Sequence, residues 1–223
     1  MSPSAGAAAQ LAPLAIALPV VVACLLLSAG RRLPHVVTDA VATGAALGVV
    51  GLCSALFVET GGGRVVTWVG GWTPKDGHSV GIVLVADRLG SGMALLAATL
   101  MLAALVYSWR YYDSVDAHLH ALMLLFLAGM AGFALTGDLF DMFVFFELMG
   151  AVAYALTGFK VEDPSALQGG LNFGVINSLG AYLSLTGIGI IYARTGQLQL
   201  PLLARSVDAA GVSTLVVLAF VLI

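Results

Sequence analysis

The chain has 223 residues, of which 60% are hydrophobic and 9% are charged, against about 25% charged residues in an ordinary soluble domain. Its formal net charge of −3 leaves no basic surface that could bind nucleic-acid phosphates. Uncharged runs of about 20 residues recur along the chain, and a helix of that length crosses a bilayer. The composition excludes a water-soluble enzyme and a nucleic-acid-binding protein, and it predicts an all-α, polytopic helical membrane protein.

Charge clusters and turn residues divide the sequence into six predicted transmembrane helices and a partial seventh. The first run, from Leu11, is longer than the apolar region of a signal peptide and has no basic leader, so we interpret it as a retained helix. The seventh run extends from about residue 210 to Ile223, about 21 Å as a helix, which is short of a ~30 Å hydrocarbon core. We therefore expect residues 1–223 to be a single transmembrane domain, the N-terminal fragment of a longer subunit. The complete spans are predicted at residues 11–29, 36–58, 81–107, 119–136, 139–158 and 171–193.

A long glycine-rich connection, residues 59–80, separates the second and third predicted spans. Its β-branched run at 65–69 is followed directly by Gly70 and Gly71. Such a run between glycines predicts a small extramembrane hairpin around Val65–Trp72 at the membrane surface. Basic residues are divided equally between the loops of the two membrane sides, so the positive-inside rule leaves the orientation undecided.

Glu147 is an acidic residue within a span rather than at its end, about nine residues into a helix of about twenty. A charge near mid-bilayer costs at least about 3 kcal/mol, and such residues usually face a bundle interior and have a functional role. The sequence has no Lys or Arg from 121 to 159 or from 161 to 193, so we expect Glu147 to lack a cationic partner within this chain. The alternative is a protonated carboxyl that stabilises a helix interface by hydrogen bonding.

Other polar residues are candidates for a proton path or for hydrogen bonding to Glu147. Asp138 and Asp141 begin the fifth span, where acids cap free N–H groups, and proton uptake is their weaker alternative role. His118 and His120 begin the fourth span, where we expect an interfacial location and proton exchange near neutral pH. Two positions apart, the histidines do not share a helix face, so no metal site is expected. The sixth span supplies the remaining candidates, which are Asn172, Asn177, Ser178, Ser184 and Thr186.

The segment from Thr136 to Leu156, TGDLFDMFVFFELMGAVAYAL, resembles the antiporter-like subunits shared by Mrp-type multisubunit cation/proton antiporters and respiratory complex I. The stretches GIVLVADRL at 81–89 and YARTGQL at 192–198 agree with the same family. GGWTP at 70–74 together with VADR is most similar to the D-type subunits of the Mrp antiporters. The resemblance covers residues from about 65 to 200.

The resemblance implies that Glu147 belongs to a buried proton-transfer chain and works against a lysine in the seventh of fourteen or so helices. It also implies a multi-pass subunit of the bacterial inner (cell) membrane, with its N-terminus on the outer face and without a cofactor. Family members usually have a lysine early in the sixth helix, where this sequence has Asn172 or its neighbour. The implied partners are other subunits of the assembly, protons, monovalent cations and the lipid bilayer.

Three functions are compatible with these observations. The first is a subunit of a multisubunit Na⁺/H⁺ antiporter that moves protons along a path centred on Glu147. The second is a proton-pumping subunit of a complex I-like NADH-quinone oxidoreductase or of a membrane-bound hydrogenase, whose redox chemistry belongs to other subunits. The third is a structural subunit that conducts nothing. We expect no catalytic chemistry in this chain itself, because it has no catalytic triad, nucleotide loop or metal-ligand spacing.

Overall fold

The computed structural model describes residues 3–29, 33–72, 81–109 and 117–223. These residues form eight α-helices and two short β-strands, and the first six helices are long and apolar enough to cross a membrane. The predicted class, a polytopic all-α membrane protein, is confirmed. The helices are α1 (Pro3–Ala29), α2 (His35–Glu59), α3 (Arg88–Tyr107), α4 (His118–Leu135), α5 (Leu139–Thr157), α6 (Pro164–Thr195), α7 (Leu200–Ala210) and α8 (Thr214–Leu222); the strands are β1 (Val65–Trp68) and β2 (Val83–Ala86).

The third span begins later than the sequence predicted. Helix α3 starts at Arg88, after Asp87 has capped its first turn by accepting a hydrogen bond from the Gly90 N–H at 2.8 Å. The predicted range 81–107 is wrong at its beginning because Val83–Ala86 forms strand β2. A short apolar run of this kind has the same hydropathy in a strand as in a buried helix, so hydropathy alone could not separate the two.

Strands β1 and β2 form an antiparallel ladder, in which Val65 lies opposite Ala86 and Trp68 lies opposite Val83. The sequence placed a complete hairpin within residues 59–80, but the partner of β1 lies outside that range. Residues 73–80 of the connection between the strands fall outside the described part of the chain. Backbone bridges extend the ladder, because Leu84 pairs with Thr136 and Asp138 pairs with Gln199.

The helix ends alternate between two faces of the bundle. The ladder face contains β1 and β2, the beginnings of α3 and α5, and the end of α6. It also contains the beginning of α1, since the Thr67 hydroxyl donates to the Ala9 carbonyl at 2.7 Å. The ends of α1, α3 and α5 and the beginnings of α2, α4 and α6 lie at the opposite face.

Helices α1 to α4 form the more tightly packed half of the bundle. Helix α1 lies against both α2 and α4, and α3 also packs on these two helices. Small side chains dominate these contacts, and they allow membrane helices to approach closely without burying bulky groups. The buried alanines include Ala12, Ala15 and Ala23 of α1, Ala42 and Ala46 of α2, and Ala121, Ala128 and Ala131 of α4.

The C-terminal segment contains one helix that the sequence analysis did not predict. Helix α7 has 11 residues and is amphipathic, with Arg205 and Asp208 among apolar side chains. Helix α8 follows within the apolar run predicted from about residue 210, and the Ser213 hydroxyl caps it by accepting from the Val216 N–H. Helix α8 packs against α6.

Candidate functional site

Glu147 is the ninth residue of the 19-residue helix α5, about 12 Å along the axis from its first residue. Its side chain is partly buried, and Oε1 is shielded from solvent with no hydrogen-bond partner among the described residues. No Lys or Arg in the described ranges forms an ion pair with it. A buried carboxyl oxygen without a hydrogen-bond donor is costly, so this unpaired atom calls for an explanation beyond helix packing.

Helix α6 supplies the polar surface nearest to Glu147. The two helices run antiparallel, with Gly158 against Gly170 and Tyr154 against Gly174. One turn nearer to Glu147, a Cβ placed on Gly150 would lie 2.7 Å from Nδ2 of Asn177. Because residues three apart share a helix face, Glu147 and Gly150 both face α6. Asn177 is therefore the sixth-span candidate that the α5–α6 contact brings beside Glu147.

The other sixth-span candidates bond elsewhere. Asn172 accepts from the Gln168 side chain at 3.0 Å, Ser178 donates to the Gly174 carbonyl at 2.8 Å, and Thr186 donates to the Tyr182 carbonyl at 2.7 Å. The Ser184 hydroxyl donates to the Ile223 carbonyl at 3.4 Å. These hydrogen bonds stay on the surface of α6 or point to α8, so the structure does not bring these four side chains to Glu147.

Helix α4 covers the other side of α5. A Cβ on Gly129 would lie 2.7 Å from Cγ of Met149, and one on Gly132 would overlap the ring of Phe145. The residues two positions before and after Glu147 therefore contact α4, while Glu147 itself faces α6. This arrangement fixes the depth and the direction of the carboxyl group by helix packing on both sides.

Asp138 caps α5, since its Oδ1 accepts from the N–H groups of Phe140 at 2.8 Å and Asp141 at 3.2 Å. Burial raises the pKa of Asp138 above its ordinary value of 3.8, and these two hydrogen bonds oppose the rise. Asp141 makes no cap: its Oδ2 is buried without a hydrogen-bond partner in the described ranges. Asp141 lies about 9 Å along the helix axis from Glu147, toward the ladder face.

The raised pKa of Asp138 predicts a pH dependence of stability. The folded chain binds this proton more tightly than the unfolded chain, so the stabilisation is complete below pH 3.8 and is lost as the pH rises through the folded-state pKa. We expect the free energy of unfolding of the wild type to fall over this range relative to Asp138→Asn, which keeps the cap and cannot ionise. Denaturant unfolding of both proteins at several pH values measures the difference. A difference that is independent of pH would contradict this assignment.

The two histidines have different environments. His118 is exposed, whereas His120 is 8% exposed, and its Nε2 lies 2.7 Å from Oδ1 of Asp39 on α2. His120 lies in the first turn of α4 and packs against α2, whereas His118 is exposed. The sequence analysis missed Asp39 because an acid in the second turn of a span resembles an ordinary span-end residue.

Residues 136–223 match the family model described as NADH:quinone oxidoreductase/Mrp antiporter, TM. The chain is 40% identical over 129 residues to the D-type subunit of a probable K⁺/H⁺ antiporter of Rhizobium meliloti, covering 58% of this chain and 24% of the relative. It is 37% identical over 160 residues to the N-type subunit of the NADH-quinone oxidoreductase of Desulforudis audaxviator, covering 70% of this chain and 31% of the relative. The chain thus spans about a quarter to a third of the length of these curated relatives.

Two solved structures share the fold over 96% of this chain. One is the membrane-bound sulfane sulfur reductase, an archaeal respiratory membrane complex, with a TM-score of 0.86, 25% identity and 43% of that chain covered. The other is the Mrp complex from Dietzia sp. DQ12-45-1b, with a TM-score of 0.80, 25% identity and 39% covered. Both are multisubunit membrane assemblies.

Six membrane-length helices define a multi-pass membrane protein rather than a lipid-anchored or surface-bound one. Its relatives are integral membrane subunits. The chain is similar to the antiporter-like membrane subunits of Mrp antiporters and of NADH-quinone oxidoreductases.

Proposed function

We propose that the chain translocates protons through Glu147 as a subunit of a multisubunit antiporter that exchanges protons for a monovalent cation, Na⁺ in the first instance. The observation that carries the proposal is the Glu147 carboxyl itself, mid-depth in α5, with Oε1 buried and without a hydrogen-bond partner in the described ranges. A carboxyl that served only to join helices would have such a partner. The antiporter relative of Rhizobium meliloti supports the exchange of a monovalent cation for protons.

A proton relay requires the Glu147 carboxyl to alternate between neutral and ionised forms. A positive charge that approaches to 4 Å stabilises a carboxylate by about 4 kcal/mol at an effective dielectric of 20. This energy changes the proton-binding equilibrium by a factor of about a thousand. In this proposal a cationic side chain of the assembly moves toward and away from Glu147, and each movement drives release or uptake of one proton. The resemblance assigns that side chain to a lysine of the family's seventh membrane-spanning helix, which is distinct from helix α7 of this chain.

The second candidate is a proton-pumping subunit of a redox-driven complex, and the NADH-quinone oxidoreductase relative favours it. The same carboxyl would move protons in either assembly, but the driving force differs. An antiporter uses a cation gradient, whereas a redox pump uses electron transfer in its partner subunits.

Inverted membrane vesicles that contain the assembled complex distinguish these functions. A pH gradient is imposed and followed with a fluorescent amine, and NaCl, KCl or choline chloride is then added. For an antiporter we expect Na⁺ to dissipate the gradient and choline to have no effect, with KCl testing whether K⁺ replaces Na⁺. A complex whose pH gradient responds to neither Na⁺ nor K⁺, and which acidifies the vesicles only when given a reductant, would overturn the antiporter proposal in favour of the redox pump.

A further inference from the structure

Asp39 and His120 form a buried acid–base pair between α2 and α4, away from Glu147. Nε2 of His120 lies 2.7 Å from Oδ1 of Asp39, and the two residues are 8% and 5% exposed. The pair lies among small and apolar side chains of the α1–α4 core, including Ala42 and Leu124. Two titratable side chains are costly to bury at a helix interface, where alanine or leucine would pack equally well.

Nδ1 of His120 is the atom of the pair that is available to bind a proton. This atom is shielded from solvent and has no hydrogen-bond partner among the described residues. When Asp39 is ionised, the 2.7 Å contact requires the imidazole proton on Nε2, so Nδ1 is a free acceptor in the neutral ring. Binding a proton at Nδ1 converts a pair of net charge −1 into one of net charge zero.

No other titratable side chain in the described helices competes for this role at the same depth. Helix α1 contributes Cys24, which is exposed, and α2 contributes His35, which is exposed at its first residue. Helix α3 has no titratable residue between its two ends, Arg88 and Tyr107. On α4 the neighbour is His118, which is exposed, and on α5 Tyr154 lies near this depth but packs against Gly174 of α6.

The pair lies on the opposite side of Glu147 from the ladder face. Gly129 of α4 is at the depth of Glu147, because it packs against Phe145 and Met149. His120 lies nine residues earlier on the same helix, about 13 Å nearer to the opposite face. Asp141, whose buried Oδ2 also lacks a partner among the described residues, lies about 9 Å from Glu147 toward the ladder face.

We propose that Asp39 and His120 form a second proton-binding site, through which protons pass between Glu147 and the face opposite the ladder. The site takes up one proton at Nδ1 of His120, and Asp39 holds the imidazolium by a charge-assisted hydrogen bond. Releasing that proton restores the neutral ring, so the cycle consumes nothing and each step moves one proton. This proposal rests on the proposed function of the chain, because it supplies the exchange point on one side of Glu147.

The test uses a pair that keeps the hydrogen bond but does not titrate. The double variant Asp39→Asn/His120→Gln places two amides at the same interface, and His35→Gln is the matched control. In the assembled complex we expect the double variant to exchange cations for protons at least about a hundredfold more slowly than the wild type, the lower range for a lost proton-transfer group. We also expect the exchange rate of the wild type to depend on protonation of His120 and that of the double variant to lack this pH dependence, because two amides bind no proton. His35→Gln should behave as the wild type.

A second measurement does not depend on transport. In protein labelled with ¹⁵N-histidine, the signals absent from His120→Gln belong to His120, and their shifts report its protonation. We expect these signals to change from the Nε2–H tautomer to the imidazolium as the pH falls. Signals that stay constant across this range, or wild-type rates and pH profile in the double variant, would overturn the inference. Both outcomes are separate from the proposed function, which fails if Glu147→Gln remains active.

Discussion

Glu147→Gln is expected to abolish cation/proton exchange while the assembly of the complex is preserved. Glutamine has the size of glutamate and retains hydrogen-bonding groups, so the contacts of α5 with α4 and α6 are maintained. It cannot ionise, and a relay that needs both forms of the carboxyl stops. We expect the exchange rate to fall by at least about a hundredfold, the lower range for the loss of a group that transfers protons.

Exchange is measured in inverted vesicles after the amount of assembled complex has been matched to the wild type. Glu147→Asp retains an ionisable group about one methylene shorter, so we expect it to keep part of the activity. Glu59→Gln is the matched control, because Glu59 is an exposed acid at the end of α2. Wild-type exchange by an assembled Glu147→Gln complex would show that the carboxyl only stabilises a helix interface.

Gly170→Val is expected to separate α5 from α6 and to destabilise the bundle. A Cβ at Gly170 would lie 3.0 Å from both N and Cα of Gly158 and 3.1 Å from the Tyr154 carbonyl oxygen. These are backbone atoms, which cannot rotate away as a side chain can. Overpacking of this kind costs about 1–3 kcal/mol, a factor of roughly 5 to 150 in the folding equilibrium. Because the same interface places Asn177 beside Glu147, we expect exchange to fall as well.

Gly180→Val is the matched control for this prediction. Gly180 lies on the same helix, and a Cβ there meets nothing within 4 Å. Unfolding in a detergent titration compares the two variants, each with the same added volume and the same loss of a helix glycine. Equal unfolding midpoints for Gly170→Val and Gly180→Val would contradict the close approach of α5 and α6.

The sequence predicted the membrane spans well where hydropathy and helix ends coincide. Helices α2, α4 and α5 begin and end within two residues of the predicted limits. The prediction failed for α3, where the apolar run Val83–Ala86 forms a strand, and for α7, where Arg205 and Asp208 lie in an amphipathic helix too short to register as a span. Apolar content measures exposure to lipid or core and does not report the backbone conformation.

Only part of the candidate site could be predicted from the sequence. Glu147 could be found because an acid far from both ends of an apolar span is unusual in a membrane helix. Asn177 could not be separated from Asn172 or Thr186, since that choice depends on which face of α6 meets α5. The Asp39–His120 pair could not be predicted at all, because its members lie on different helices and each lies close to the end of a span. Such pairs arise only from the packing of α2 against α4.

Backbone hydrogen bonds at residues 136–139 hold the beginning of α5 in place. At its beginning the helix is joined by backbone hydrogen bonds to the first residue of β2 and to the segment before α7: Gly137 N–H to the Val83 carbonyl and Leu139 N–H to the Leu198 carbonyl, each at 2.9 Å. Beyond that point α5 meets α4 and α6 through side chains and glycines alone. If α5 tilts, it therefore pivots about its first residues, and Glu147 lies about 12 Å from that pivot along the helix axis. A tilt of about 10° about the first residues of α5 moves the Glu147 carboxyl by about 2 Å, enough to make or break a hydrogen bond.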